Sequence, residues 1–145
     1  MDNTLKYNVV RVSEENFDLH ADALVSEMRL NIHNNIQLKY DTGHRIFTTA
    51  INATLTKAEQ DTPVLNVSAA MTCELDADSL SNFTVDNVLV IPETFRIDTI
   101  VSTFGMIQGI ILARMKELGL QPILLPPVDR AAIPSDPLIV NLKDA

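Results

Sequence analysis

Met28-Arg29-Leu30-Asn31-Ile32-His33-Asn34-Asn35-Ile36-Gln37-Leu38-Lys39-Tyr40 alternates almost without fault. Met28, Leu30, Ile32, Ile36, Leu38 and Tyr40 share one parity, broken only by Asn34, and polar residues hold the other. A period of two with one apolar side predicts a strand with one buried and one wet face. Asp41-Thr42-Gly43 supplies turn chemistry, so a hairpin is expected. The next strand runs from about Arg45 to Lys57, with Phe47, Ile51, Ala53 and Leu55 on one parity. After Asp61-Thr62-Pro63, the residues Leu65, Val67, Ala69, Met71, Cys73 and Leu75 repeat the pattern. Long alternating strands joined by short turns predict an antiparallel meander packed on one side. Upstream, Leu5 to Val12 reads as a first strand rich in β-branched residues. Phe17 and Leu19 then fall in a polar connection, followed by Leu24 and Val25.

Downstream the period changes. Ile97, Ile100, Val101, Phe104, Ile107, Ile111, Met115 and Leu118 recur at steps of three and four, which predicts a helix with a broad apolar stripe. Pro92-Glu93 suits its start and Gly119 its end. Gly105 and Gly109 either weaken it or admit another backbone. The consecutive Ile110, Ile111 and Leu112 leave little room for a wet side, so a homo-oligomer is expected. The fold class is therefore α+β: a four-stranded antiparallel sheet with a long helix packed on one face. The expected organisation is a single domain over residues 1–145, with the sheet over about 5–76, the helix over 92–119 and a proline-rich extended tail over 120–145.

Composition narrows the function. A chain of 145 residues with 46% hydrophobic and 21% charged residues builds a core and is not a disordered segment. A net charge of -8 disfavours nucleic acid and anionic membrane surfaces. One cysteine, Cys73, forms no intrachain disulfide and fits a reducing, cytoplasmic location. The apolar run Thr99–Ala113, interrupted by Gln108, is too short for a membrane span and reads as a core helix. No nucleophile elbow, P-loop or dinucleotide motif occurs. His20, His33 and His44 lie on separate segments, with Asp18 or Asp22 a partner for His20, and no ligand set for a metal or cofactor accompanies them. Cys73 sits on an apolar parity, as a structural thiol does, Asp76 and Asp78 read as a solvated turn, and Glu14-Glu15 reads as a loop with an acidic face. Met28, Met71 and Met106 either complete the core or serve a surface that repacks around varied partners.

The order of segments resembles the SecB family of bacterial export chaperones. Tyr7-Asn8-Val9-Val10-Arg11-Val12 with Phe17-Asp18, then Ser26-Glu27-Met28-Arg29-Leu30-Asn31-Ile32, then Cys73-Glu74-Leu75 are similar to successive steps of that family. The run Gln121-Pro122-Ile123-Leu124-Leu125-Pro126-Pro127-Val128-Asp129 after the helix carries the resemblance furthest. It implies a tetramer, or dimer of dimers, without enzymatic activity, that holds unfolded polypeptides in apolar grooves without ATP during protein export. It implies a client groove walled by Phe17, Leu19, Leu24 and Val25 and entered by Met28 and Leu30, and it puts Glu74 on an acidic sheet surface facing the export ATPase SecA. The chain departs from the family after Asp129, where Arg130-Ala131-Ala132-Ile133-Pro134-Ser135-Asp136-Pro137 replaces the last helix, and no cysteine-bearing metal tail for SecA is present. The alternative is an interaction protein with the same fold dedicated to one partner, such as a toxin–antitoxin pair.

Overall fold

Alternation in the three central segments becomes a continuous ladder in the computed structural model, which describes residues 4–23, 29–58, 62–126, 128–133 and 136–142. The strands are β1 (Tyr7–Leu19), β2 (Leu30–Asp41), β3 (Ile46–Lys57) and β4 (Pro63–Leu75). All neighbours are antiparallel and the order is β1-β4-β3-β2. The β2–β3–β4 meander is as expected, and β1 joins the free side of β4, a Greek-key order traced from its other end. In the β2–β3 turn Asp41 Oδ1 accepts the Gly43 N–H at 3.0 Å and Arg45 is left-handed at φ 54. Phe47, Ile51 and Leu55 on β3 and Leu65, Val67, Cys73 and Leu75 on β4 are buried on one face, and Asn52, Thr54 and Asn66 form a hydrogen-bonded row on the other.

β1 corrects the expected boundaries. It does not stop at Val12 but runs to Leu19, so Phe17 and Leu19 belong to the strand and not to a polar connection. Register shifts lie between Val9 and Arg11 and between Glu14 and Asn16. Each inserts one residue, Val10 and then Glu15, so the residues facing the helix side are Tyr7, Val9, Val12, Glu14, Phe17 and Leu19. Glu14-Glu15 is accordingly strand, not loop.

Asp76 also departs from the solvated turn expected of it. Its side chain accepts the Ser79 N–H at 2.9 Å and caps the short helix α1 (Ala77–Leu80). A second sheet follows, of β5 (Thr84–Val85), β6 (Val88–Ile91) and β7 (Leu138–Asn141) in that order. Thr84 pairs with Leu89 and Val85 with Val88, and the two residues between, Asp86 and Asn87, have φ 52 and 65, the signature of a primed hairpin turn. A 3-10 turn at Arg130–Ala132 interrupts the extended tail, and β7 then returns to pair with β6.

The main helix, α2 (Glu93–Glu117), buries Ile100, Ile107, Ile111 and Met115 against Ile51, Leu55, Leu65 and Val67. By length and hydropathy alone α2 could cross a membrane, but here those residues seat it on the sheet. Thr49 Oγ1 donates to Thr99 Oγ1 at 2.9 Å, which satisfies the buried hydroxyl between sheet and helix. Near the start of α2, Phe95 meets Tyr7 and Phe47 edge to face, with ring centres 4.9 and 5.0 Å apart. At its end the Leu120 N–H reaches the Met115 carbonyl and the Gly119 N–H the Lys116 carbonyl, with Gly119 at φ 70. This pair of bonds around a left-handed residue is a Schellman cap. A Cβ at Gly119 would meet nothing within 4 Å, so Gly119→Ala tests backbone strain alone. It should lower stability by about 1–2 kcal/mol, measured by urea denaturation. An unchanged midpoint would show that the cap does not hold the helix end.

Candidate groove between the first strand and the main helix

β1 is an edge strand, and its helix-side residues are only partly covered. Tyr7 is 41%, Val9 49% and Val12 57% exposed. Across from Val12 lie Met106, Gly109, Ile110 and Ala113 of α2, enclosing an open hollow of about 540 Å3. Gly109 leaves open space on this side, since a Cβ there would meet nothing within 4 Å. A second hollow of about 510 Å3, lined by Glu15, Asn16, Phe17 and Leu118, continues from it. Glu14, Arg114 and Glu117 border both, so the two form one groove with a polar waist.

The waist is a bidentate ion pair. Arg114 Nε and Nη2 donate to the two carboxylate oxygens of Glu14, each at 2.9 Å. This fork geometry fixes orientation as well as distance. Glu14 holds the Arg114 guanidinium pKa above its ordinary value, first through the hydrogen bonds and then through its charge. Glu117 stands 3.7 Å from Arg114 Nη1. Three carboxylates and one guanidinium therefore line the groove, which favours cationic over anionic occupants beside its apolar wall.

The residues expected at a client groove are dispersed. Phe17 lines the groove. Leu19 is half-buried, faces Leu65 and packs on the core cluster. Leu30 does the same from β2, the opposite edge of the sheet, three strand spacings or about 14 Å away. Leu24, Val25 and Met28 lie outside the described residues. Met106, which the sequence offers either to the core or to a repacking surface, lines the groove, whereas Val12, Ile110 and Arg114 carry no local signal of it. Glu74 is exposed on the outer sheet face, between Asn8 and Ile46 in register. A shallow hollow of about 270 Å3 joins it to Lys6, Arg45 and Asp76, so its surroundings are of mixed charge.

Groups with catalytic chemistry stand apart. His20 is 3.5 Å from Asp18 and His44 3.0 Å from Asp41, both at exposed sites. Burial pushes the Cys73 thiol up to about 11, which leaves it protonated and unreactive at neutral pH. Among the described residues no group of three His, Cys, Asp or Glu side chains could hold a metal ion.

No protein-family model matches the chain, and no curated protein matches its sequence. Among solved structures, the SecB-like chaperone Rv1957 of Mycobacterium tuberculosis superimposes with a TM-score of 0.53 over 85% of this chain and 88% of its own. The fold is SecB-like. Identity is 12%, so the likeness is one of architecture and not of side chains. That chaperone was solved in complex with a ChAD peptide from the HigA1 antitoxin Rv1956.

Proposed function

We propose that the protein is a SecB-like chaperone that binds non-native polypeptide segments in the groove between β1 and α2, with no ATP and no catalysis of its own. The carrying observation is the apolar wall of Val12, Met106 and Ile110, left open beside Glu14, Glu15 and Glu117. An apolar wall gives affinity for any exposed apolar segment, and the carboxylates favour segments that carry Lys or Arg. In this reading Phe17 closes one end of the groove and Leu19 and Leu30 support the core behind it. Glu74 then belongs to a separate surface for a partner such as SecA. The exposed Tyr7, Val9 and Leu112 support a homo-oligomer, a tetramer or dimer of dimers, in which a second copy covers part of β1 and α2.

A second reading is a chaperone dedicated to one partner. It is favoured by the solved SecB-like structure, which holds a peptide from one antitoxin. The separating experiment adds the purified protein to an aggregating, unrelated unfolded protein, with its mass followed by light scattering. Suppression by an oligomer without nucleotide supports the general chaperone. An oligomer that suppresses nothing supports the dedicated one. A monomer that suppresses nothing overturns the groove reading.

A further inference from the structure

The flank of α2 turned away from the open groove is covered by the chain itself. Two residues, or about 200° of helical turn, separate Gln108 from both Met106 and Ile110. Beyond Gly119 the backbone runs without helix or strand through residue 126 and lies along the Gln108 side. Gln108 Nε2 donates to the Ile123 carbonyl at 3.0 Å, and its Oε1 accepts the Leu125 N–H at 2.6 Å. A carbonyl and an amide two residues apart are the pair that one residue of a parallel neighbouring strand would bind. The Ile123 N–H points at Met115 Sδ, a weak acceptor, at 3.4 Å. Leu120, Ile123 and Leu125 pack on the core cluster, and Leu124 between them is 74% exposed. The segment thus sits as a bound extended peptide sits, with Ile123 and Leu125 inward and the two peptide units that flank Leu124 recognised.

Its middle is held by the Gln108 amide and by half-buried Ile123 and Leu125, and each end is tied to α2. Pro122 and Pro126 have no N–H to offer, so the seat satisfies little backbone. The Schellman cap anchors one end, and Arg130 on Asp98, at 3.2 Å, anchors the other. We propose that this flank of α2 is a second polypeptide-binding site, occupied by segment 120–126 and exchangeable for an extended apolar segment of another chain. The seat reads apolar side chains two apart and the backbone between them, a pattern shared by extended apolar segments in general. A competitor without prolines is not held to the φ that each ring fixes, and it must outweigh the millimolar effective concentration of a tethered occupant. The proposal rests on the polypeptide-binding reading above for the identity of the incoming chain.

The test uses a labelled peptide, Gly119-Leu120-Gln121-Pro122-Ile123-Leu124-Leu125-Pro126, added to the full protein. Ile123→Ser with Leu125→Ser unseats the resident and leaves Gln108 and Met115 in place. The peptide should bind that variant at least about tenfold more tightly than the unaltered protein. Adding Gln108→Ala should abolish the gain, and adding Val12→Asp should leave it intact. Equal binding, a gain that survives Gln108→Ala, or a gain lost with Val12→Asp would overturn the proposal. Should the double variant fail to fold, hydrogen exchange on the unaltered protein decides. An excess of the peptide carrying Pro122→Ala and Pro126→Ala should speed exchange of the Leu125 N–H and leave that of Ile111 unchanged, and an unchanged or slowed Leu125 would overturn it. Failure of the open groove alone would leave this pattern intact.

Discussion

Val12→Asp is expected to remove most binding of unfolded polypeptide while the protein stays folded. Val12 lies on an edge strand and is 57% exposed, so a carboxylate there stays hydrated and the native state tolerates it. Once an apolar client segment covers Val12, the same carboxylate loses its water, and no cation of the groove compensates it, because Arg114 is already committed to Glu14. Burying a polar group without a partner costs about 1–3 kcal/mol, which is roughly 5- to 150-fold in affinity, and a charge puts the expected loss at the upper end. Fluorescence anisotropy with a reduced, carboxymethylated client measures the loss, and circular dichroism reports the fold. Val85→Asp is the control, since Val85 is 72% exposed in the second sheet and does not line the groove. Full affinity in a folded Val12→Asp protein would put client binding elsewhere.

The second large effect concerns the helix that forms the groove's other wall. Ile107 is fully buried midway along α2, in the cluster that joins helix and sheet. Ile107→Ala removes buried methylenes where neighbours on both layers resist collapse, and should cost about 2–5 kcal/mol. Against a total of about 5–15 kcal/mol this is a large share. The melting temperature should drop by roughly 6–15 °C, read by differential scanning calorimetry. Ile110, only half-buried and facing the groove, separates the two roles. Ile110→Ala should cost little stability and weaken client binding. Equal destabilisation by both substitutions would mean that α2 has no free flank.

The central strands were legible because one side of the sheet is wet. Water on one face and core on the other force Ile32, Ile36 and Leu38, and likewise Leu65, Val67 and Cys73, onto a single parity. β1 resisted the same reading for a physical reason. Its helix-side residues, Tyr7, Val9, Val12, Glu14, Phe17 and Leu19, change parity twice, at Val10 and at Glu15, so no single alternation spans the strand. The hairpin at Asp86-Asn87 carried a readable signal, two residues tolerant of positive φ between Thr84-Val85 and Val88-Leu89. β7 carried none, since four residues pair only because β6 is there to receive them. The groove was the least legible part. Its waist joins Glu14 to Arg114, exactly one hundred positions on, and no local spacing encodes such a pair. Of the two glycines, Gly109 lines the groove, with nothing within 4 Å of a Cβ placed there.

The two bulges in β1 have a bearing on solubility. A long edge strand that displays Tyr7, Val9, Val10 and Val12 is a template onto which further strands could add without end. A regular ladder is what such growth requires, because each new strand copies the register of the last. Bulges raise the local twist and leave one residue unpaired at each site, so the outer edge of β1 is not a straight row of donors and acceptors. Glu14 and Glu15, beside the second bulge, add charge where an incoming strand would have to stack like on like. The same irregularity that hid β1 from a simple alternation lets apolar residues stand exposed on an edge that offers no regular template for a fibre.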